Sequence, residues 1–437
     1  MTPPSPENAS GLRVRAEAAA VFCSRDGAPE RRLGFQQEHG LPFPDASLAS
    51  LEIATLPGSE DARALLLREA YRVLKGKAEL RVKSSTEGLP ALTAQAIMAG
   101  FLERSEDAQG GLRASKRLDA EDLPLVSIVT PSYKVRYFAQ ALASACAQSY
   151  PNIEIIVCDN CPTEAIREVS EHFAELRPLT YYRNPKKLLH NFQTCFDMAK
   201  GQYIKFLLDD DLLDPDCVRR MLLPFEAYGD EISLVTSYRQ RIDPEGLRLP
   251  DDSNTSPIQA MSGRIPGRIQ GDRMLLSRRN SIGEHSTTLF RRADLADHQP
   301  FFFSWAEHEY QGLGDVSIAL KLLSQGDLYY YAESLSSFRT HPAQNTFVGN
   351  LELRVTAVLE WSDLVLDGRR SGYLKDDNEY AEALRRVRKF LRRRKKPFLV
   401  EPELRRRFDE AEARLSEAES SLSGGLWRAA RRITKRR

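Results

Sequence analysis

Three short apolar runs, each closed by a cluster of polar residues, limit what this chain can fold into. LVSIVT (125–130), IEIIVC (153–158) and YIKFLL (203–208) read as buried strands. Helical patterns lie over 138–147, 163–176 and 189–199, and TYYR (180–183) is a further short strand. Strand–helix alternation with short links implies an α/β domain with a mostly parallel central sheet. Ligands of such sheets sit beyond the carboxyl ends of the strands. The runs end in Pro131-Ser132-Tyr133, Asp159-Asn160 and Asp209-Asp210-Asp211, so these groups are expected together on one rim.

The triplet constrains the chemistry most. Adjacent carboxylates raise each other's proton affinity unless a positive charge neutralises them. A divalent cation does so, and ligation by oxygens alone suits Mg2+ or Mn2+ rather than zinc. Such a metal can bridge to a diphosphate and take up charge as it departs. A solvated acidic loop or a helix N-terminus is the plain alternative. Asp159-Asn160 reads as an acceptor for a base or ribose, or simply as a turn. Cys158 and Cys161 have no second pair nearby, so they read as buried thiols rather than a zinc site. There is no G-x-G-x-x-G after a strand, no P-loop, no H-E-x-x-H and no G-x-S-x-G.

Taken together, LVSIVTPSYK (125–134), ALASACAQSYPNIEIIVCDN (141–160), HNFQTCFDMAKGQYIKFLLDDDLLDPD (190–216) and GDVSIALKLLSQGDLYYYAESLSSFRTH (314–341) resemble the family 2 glycosyltransferases, which have the GT-A fold. The resemblance implies a transferase domain over 122–345. It implies an inverting transfer of sugar from a nucleoside diphosphate sugar, UDP-linked in the first instance, to a hydroxyl of a saccharide or lipid-linked acceptor in surface polysaccharide or glycan synthesis. Thr130, Pro131 and Tyr133 match the first nucleotide-binding turn, Asp159 the carboxylate that recognises the base, and Asn191 an Asn near the nucleotide-sugar pocket. The triplet matches the metal motif with a departure: the commoner form is D-x-D-D, whose first Asp falls on Leu208. Asp210 is expected as principal ligand of Mn2+ or Mg2+, with Asp211 assisting and Asp209 near the ribose; Asp209 with Asp211 is the alternative register. Asp315 matches the general base, although Gly314 stands where an acidic residue is commoner, and a helix cap is its simpler role. His341 matches a position near the diphosphate, and Arg339 either binds phosphate or pairs with an acid. NSIGEHSTTLFRR (280–292) looks like the acceptor-side element, with Glu284 and His285 lining the pocket. Trp305 is either a sugar-stacking surface or core.

The flanks are less specific. Residues 1–115 hold a helical pattern over 59–76, with Leu66, Leu67, Ala70, Val73 and Leu74 as its apolar stripe, Gly76 as its stop, and a strand at 78–83. LPFPDASLASLEIATL (41–56) with LLLREAYRVLKGKAELRV is similar to the later half of a class I methyltransferase. The glycine-rich cofactor loop is missing, which implies a degenerate relic. Residues 104–121 read as a linker. Residues 346–437 read as a helical region with helices over 351–366 and 403–422, the latter broken by Ser-Gly-Gly at 423–425. Nine of the twelve residues 385–396 and six of 428–437 are Lys or Arg. Such clusters favour an anionic membrane surface by about 1 kcal/mol per charge; a solvated tail is the alternative.

The chain has 62 Lys+Arg against 61 Asp+Glu, which gives no specific nucleic-acid binder the charge surplus it needs. Six Cys in 437 residues suit a reducing compartment. The start, MTPPSPENAS, has no signal-peptide pattern, and no apolar run approaches a membrane span. The expected address is cytoplasmic, peripheral at the inner face of the plasma membrane. The competing reading is a catalytically decayed nucleotide-sugar-binding scaffold with a polyanion- or membrane-binding tail, for which Leu208 and Gly314 speak.

Overall fold

A computed structural model describes residues 12–17, 20–25, 31–34, 48–53, 63, 66–68, 70–71, 74–82, 89–101, 103–106, 111–115, 123–185, 188–252, 255–296, 302–342, 344 and 351–434. The chain divides into two compact units, one of residues 1–123 and 219–230, the other of 124–218 and 231–437.

The first unit contains β1 (Leu12–Glu17), β2 (Ala20–Arg25), β3 (Arg31–Gly34), β4 (Leu48–Ile53), β5 (Leu74–Val82), α1 (Leu89–Met98), β6 (Glu103–Glu106) and β7 (Leu112–Ser115). Its sheet runs β3-β2-β1-β4-β5-β7-β6. β4 is parallel to β1 and β5, and the other pairs are antiparallel. Leu51, Ile53, Leu66, Leu67, Ala70, Leu80 and Phe101 form its core. Two expectations are corrected here. Gly76 does not stop a helix: it lies inside β5, because the chain is already pairing with β4 from Leu74. Part of the expected linker is a paired hairpin, β6 with β7, in which Leu112 and Ala114 are buried while Arg113 between them is exposed.

The second unit begins with β8 (Val126–Ser132), α2 (Phe138–Cys146), β9 (Ile153–Asp159), α3 (Ala165–Ala174), β10 (Leu179–Arg183), α4 (Leu188–Met198), β11 (Tyr203–Phe206) and β12 (Leu212–Leu213). Helix α5 (Cys217–Tyr228) crosses the division between the units. Then come β13 (Ile232–Ile242), β14 (Gly263–Ile265), α6 (Gly267–Ser277), β15 (Thr288–Arg291), β16 (Ser304–Trp305), β17 (His308–Glu309), α7 (Gly314–Leu323) and β18 (Asp327–Arg339). The sheet order is β10-β9-β8-β11-β15-β13-β18-β12, with β14 on β18. β10, β9, β8 and β11 are mutually parallel. β15 runs against both β11 and β13, so β13 points the same way as β11, and β18 is parallel to β13. The carboxyl ends of all six parallel-running strands therefore share one rim. Every residue of β8 is buried, which explains its unbroken apolar reading.

Three helices complete this unit: α8 (Leu351–Arg370), α9 (Asp377–Arg393) and α10 (Pro402–Thr434). Asp376 caps α9 by accepting from the amides of Asn378 and Glu379. One hydrophobic cluster runs from Val129 and Phe206 in the sheet to Leu384, Phe408 and Leu415 in these helices. The expected break at 423–425 is absent: α10 passes through both glycines. Each costs a helix about 1 kcal/mol relative to alanine, a weakening rather than a stop. No described helix is long and apolar enough to cross a membrane.

Candidate functional site

The rim gathers its groups through backbone pairing. β12 pairs antiparallel with β18, setting Leu212 opposite Ser337, so Asp209–Asp211 lie beside Arg339–His341. Asp209 faces the β8 end: its Oδ2 accepts from the amides of Tyr133 and Lys134, both at 2.7 Å. Asp210 and Asp211 face the β18 end. The His341 Nε2 is 3.0 Å from Asp210 Oδ2, and the Arg339 amide donates to Asp211 Oδ1 at 3.1 Å. Burial, and next the charge of Asp210, raises Asp209 to about 6. The same two causes raise Asp211 well above the usual carboxylate range, and Glu284 adds to them.

Glu284 connects the triplet to the expected base. Asp315 lies in the first turn of α7, accepting from Asn280 Nδ2 at 2.7 Å and from the Val316 amide at 2.8 Å. It is pushed up to about 6, mainly by burial and also by Glu284. Asp211 and Asp315 thus share Glu284 as a charged neighbour. Glu284 itself pairs with Arg239, while its Oε2 is buried without a partner. The charge of Glu284 thus reaches both the triplet and the expected base.

Several expected residues have their polar atoms engaged by protein. Asp159 is fully buried, accepting from Tyr181 Oη at 2.7 Å, Arg183 Nη1 at 2.5 Å and the Cys161 amide at 2.6 Å. In this structure it anchors Tyr181 and Arg183; Arg183 is the solvent-reaching member of that cluster, at 38% exposure. Asn191 is also sealed, donating to Cys158 O at 2.6 Å and accepting from Asn184. Thr130 and Pro131 are buried in β8, and Thr130 Oγ1 has no partner. Tyr133 is exposed.

On the acceptor side, His285 packs against Phe192, Phe206 and Phe303 at centroid distances of 4.9, 5.4 and 5.6 Å. Burial lowers its imidazole to about 4, so it is neutral at pH 7. Trp305 is buried in the hydrophobic cluster, edge-on to Tyr373, so the core alternative holds and sugar stacking does not. Among the described residues Arg339 pairs with no acidic side chain, and it does not reach outward. It is buried, donates to the carbonyls of Asp210, Asp243 and Pro244 and to Gln140, and lies over the Tyr137 ring. Sequence reasoning missed Arg239 and also Lys205, whose buried ammonium donates to Ser286 O at 2.5 Å and holds the turn beneath the triplet. A lysine inside the apolar run YIKFLL was its visible signal.

The donor set fits a hard divalent cation shared with a ligand. Asp211 Oδ2 and His341 Nδ1 are buried without partners, and Arg339 directs its guanidinium to backbone carbonyls and Gln140. Among the described residues no three acidic, His or Cys side chains form a cage on their own. Mg2+ and Mn2+ commonly take only one or two protein carboxylates and complete their shell with phosphate oxygens and water.

Residues 127–298 match the family described as Glycosyl transferase family 2. This stretch of the chain is therefore similar to the family 2 glycosyltransferases. Within its relatives, this domain is 30% identical over 137 residues to chondroitin synthase of Escherichia coli, covering 30% of this chain and 20% of the relative. It is 34% identical over 91 residues to the UDP-Glc:alpha-D-GlcNAc-diphosphoundecaprenol beta-1,3-glucosyltransferase WfaP of Escherichia coli, covering 20% of this chain and 36% of the relative. The chain thus spans well under two thirds of either. Among solved structures, that of S. aureus TarS 1-349 with UDP-GlcNAc aligns with a TM-score of 0.48 at 14% identity, over 67% of this chain and 80% of that one. The mixed sheet with its mostly parallel half is the α/β, GT-A architecture of such a transferase domain.

Proposed function

We propose that the transferase domain moves a sugar from a nucleoside diphosphate sugar, a UDP-sugar first among them, to a hydroxyl of a saccharide or lipid-linked acceptor in surface polysaccharide synthesis, with inversion. The carrying observation is the triplet held at the rim between the Tyr133–Lys134 turn and Arg339–His341, with a buried Asp211 oxygen left without a hydrogen bond and Glu284 influencing both Asp211 and Asp315. Asp210, Asp211 and His341 are the residues that would hold Mn2+ or Mg2+, which when bound supplies the charge that a departing diphosphate needs. Asp209 fixes the Tyr133–Lys134 turn, against which the nucleotide would lie. Asp159 holds Arg183 and Tyr181 at the β9–β10 edge, making Arg183 the group offered to the nucleotide. Asp315, ionised, takes the proton of the acceptor hydroxyl as its oxygen attacks the anomeric carbon, in a single displacement. Neutral His285 and its phenylalanines supply an apolar wall that keeps water from competing. The test is a donor screen read by release of nucleoside diphosphate, with and without Mn2+. Metal-dependent release that vanishes in Asp210→Asn supports the reading. Absence of release with every donor, while UDP and Mn2+ still bind, favours the decayed scaffold.

We also propose peripheral contact with an anionic membrane, supported by a cleft of about 480 Å³ lined by Arg385, Arg388, Lys389, Arg392, Arg393 and Glu419. Arg388 and Arg392 are paired with Glu412, but Lys389 and Arg393 have no ion pair among the described residues. Burial, then Arg386, Arg394 and Arg393, pull the neighbouring Arg278 below its ordinary value, so this face holds more positive charge than it neutralises. Side chains beyond residue 422, which include the second basic cluster, lie outside the described residues.

A further inference from the structure

The segment leading into Asp315 is held by one face of a helix distant in sequence. Glu360, on α8, is 5% exposed. Its carboxylate accepts from three successive amides: Gln311 at 2.6 Å, Gly312 at 2.9 Å and Leu313 at 2.7 Å. Successive amides converging on one anion form a nest, and here the chain supplies its own anion. The next residue begins α7, and the one after is Asp315. Leu313 occupies the cap position of α7 and offers no side-chain acceptor; Glu360 takes its amide and the two before it, while the Val316 amide is taken by Asp315 itself.

The same helix face grips the segment again. Asp367, fully buried, accepts from Tyr310 Oη at 2.7 Å and lies 2.8 Å from His308 Nδ1. Packing leaves no slack. A Cβ on Gly312 would stand 2.7 Å from the Ala357 Cβ of α8, and one on Gly314 would stand 2.6 Å from the Phe303 ring. The second clash accounts for glycine where the family more often has an acid.

The geometry points to Glu360 as a positioning residue: through the amides of 311–313 it fixes where Asp315 stands, without touching substrate. This deepens the reading of Asp315 as the base and rests on it. A displacement of about 1 Å at such a group costs on the order of 100-fold in rate. A helix otherwise remote from the rim thereby becomes part of the catalytic apparatus.

The experiment compares wild type, Glu360→Gln, Gly312→Ala and Asp315→Asn. The amide of E360Q cannot accept from all three donors, and G312A drives the same segment off α8 with Glu360 intact. Each should lower kcat by about 10- to 100-fold, leave binding of UDP with Mn2+ within twofold, and shift the titration of the Asp315 carboxyl, followed by 13C NMR, down from about 6 as it gains solvent. A drop in Tm with kcat and the Asp315 titration unchanged would show a merely structural role and overturn the inference. Should E360Q not fold, Glu360→Asp, which keeps the charge on a shorter arm, decides by the same readouts. If Asp315→Asn retains turnover, the reading of Asp315 as base fails; if it abolishes turnover while E360Q and G312A retain theirs, only the positioning role fails.

Discussion

Burial is the largest influence on Asp209, Asp211 and Asp315, and like charge compounds it. A carboxyl raised in this way holds its proton more tightly folded than unfolded. Its stabilising contribution is therefore full below the ordinary carboxylate range and is lost as pH rises through the folded value. For Asp315, between 3.8 and about 6, that loss is up to roughly 3 kcal/mol. The Tm of Asp315→Asn relative to wild type should therefore rise from pH 4 to pH 8; a flat difference would argue against the raised value. Catalysis has the opposite sign, because only ionised Asp315 accepts a proton. Turnover should fall about tenfold per pH unit below roughly 6, with the limb absent from the residual activity of Asp315→Asn. These carboxyls are a stability cost of the kind that functional sites carry.

At the scale of elements, the parallel half of the sheet was legible because strands buried on both faces read as continuous apolar runs. The chain from Val126 to Phe206 follows the predicted alternation within one or two residues at most ends. β13 and β18 were not read as strands, since their outer halves alternate with Ser, Arg and Glu and their pairing is long-range. The hairpin at 103–115 was hidden for the same reason: polar composition outweighed a four-residue alternation. The rim was legible as a set of strand ends. What those ends bond to was not: a sequence cannot say that Asp159 is already saturated or that Glu360 reaches three amides. The last helices looked like a separable tail, yet Phe408 and Leu415 are in the same cluster as Phe206. Phe408→Ala should cost about 3–5 kcal/mol, and removal of residues 402–437 should lower the Tm of the transferase domain sharply. An unchanged melting profile after that deletion would show the cluster to be dispensable.

At the scale of the whole molecule, a near-zero net charge conceals strong local asymmetry. Arg385, Arg386, Arg388, Lys389, Arg392 and Arg393 lie on the side of α9 that its buried stripe, Tyr380, Ala383, Leu384, Val387 and Leu391, leaves outward, and Arg394, Lys395 and Lys396 follow directly after the helix. Lys389→Glu with Arg393→Glu should abolish co-flotation with phosphatidylglycerol vesicles at low salt, while transfer to a water-dissolved acceptor stays unchanged. Equal flotation of variant and wild type would remove the membrane reading and leave the transferase untouched. The central claim is that the triplet and Asp315 form one reaction centre with divided tasks. Its most direct test is Asp315→Asn measured twice in the same preparation: Mn2+-dependent UDP binding by calorimetry, and turnover by nucleoside diphosphate release. The account predicts binding as in wild type with turnover reduced about 10²- to 10⁴-fold; turnover at the wild-type level would contradict it.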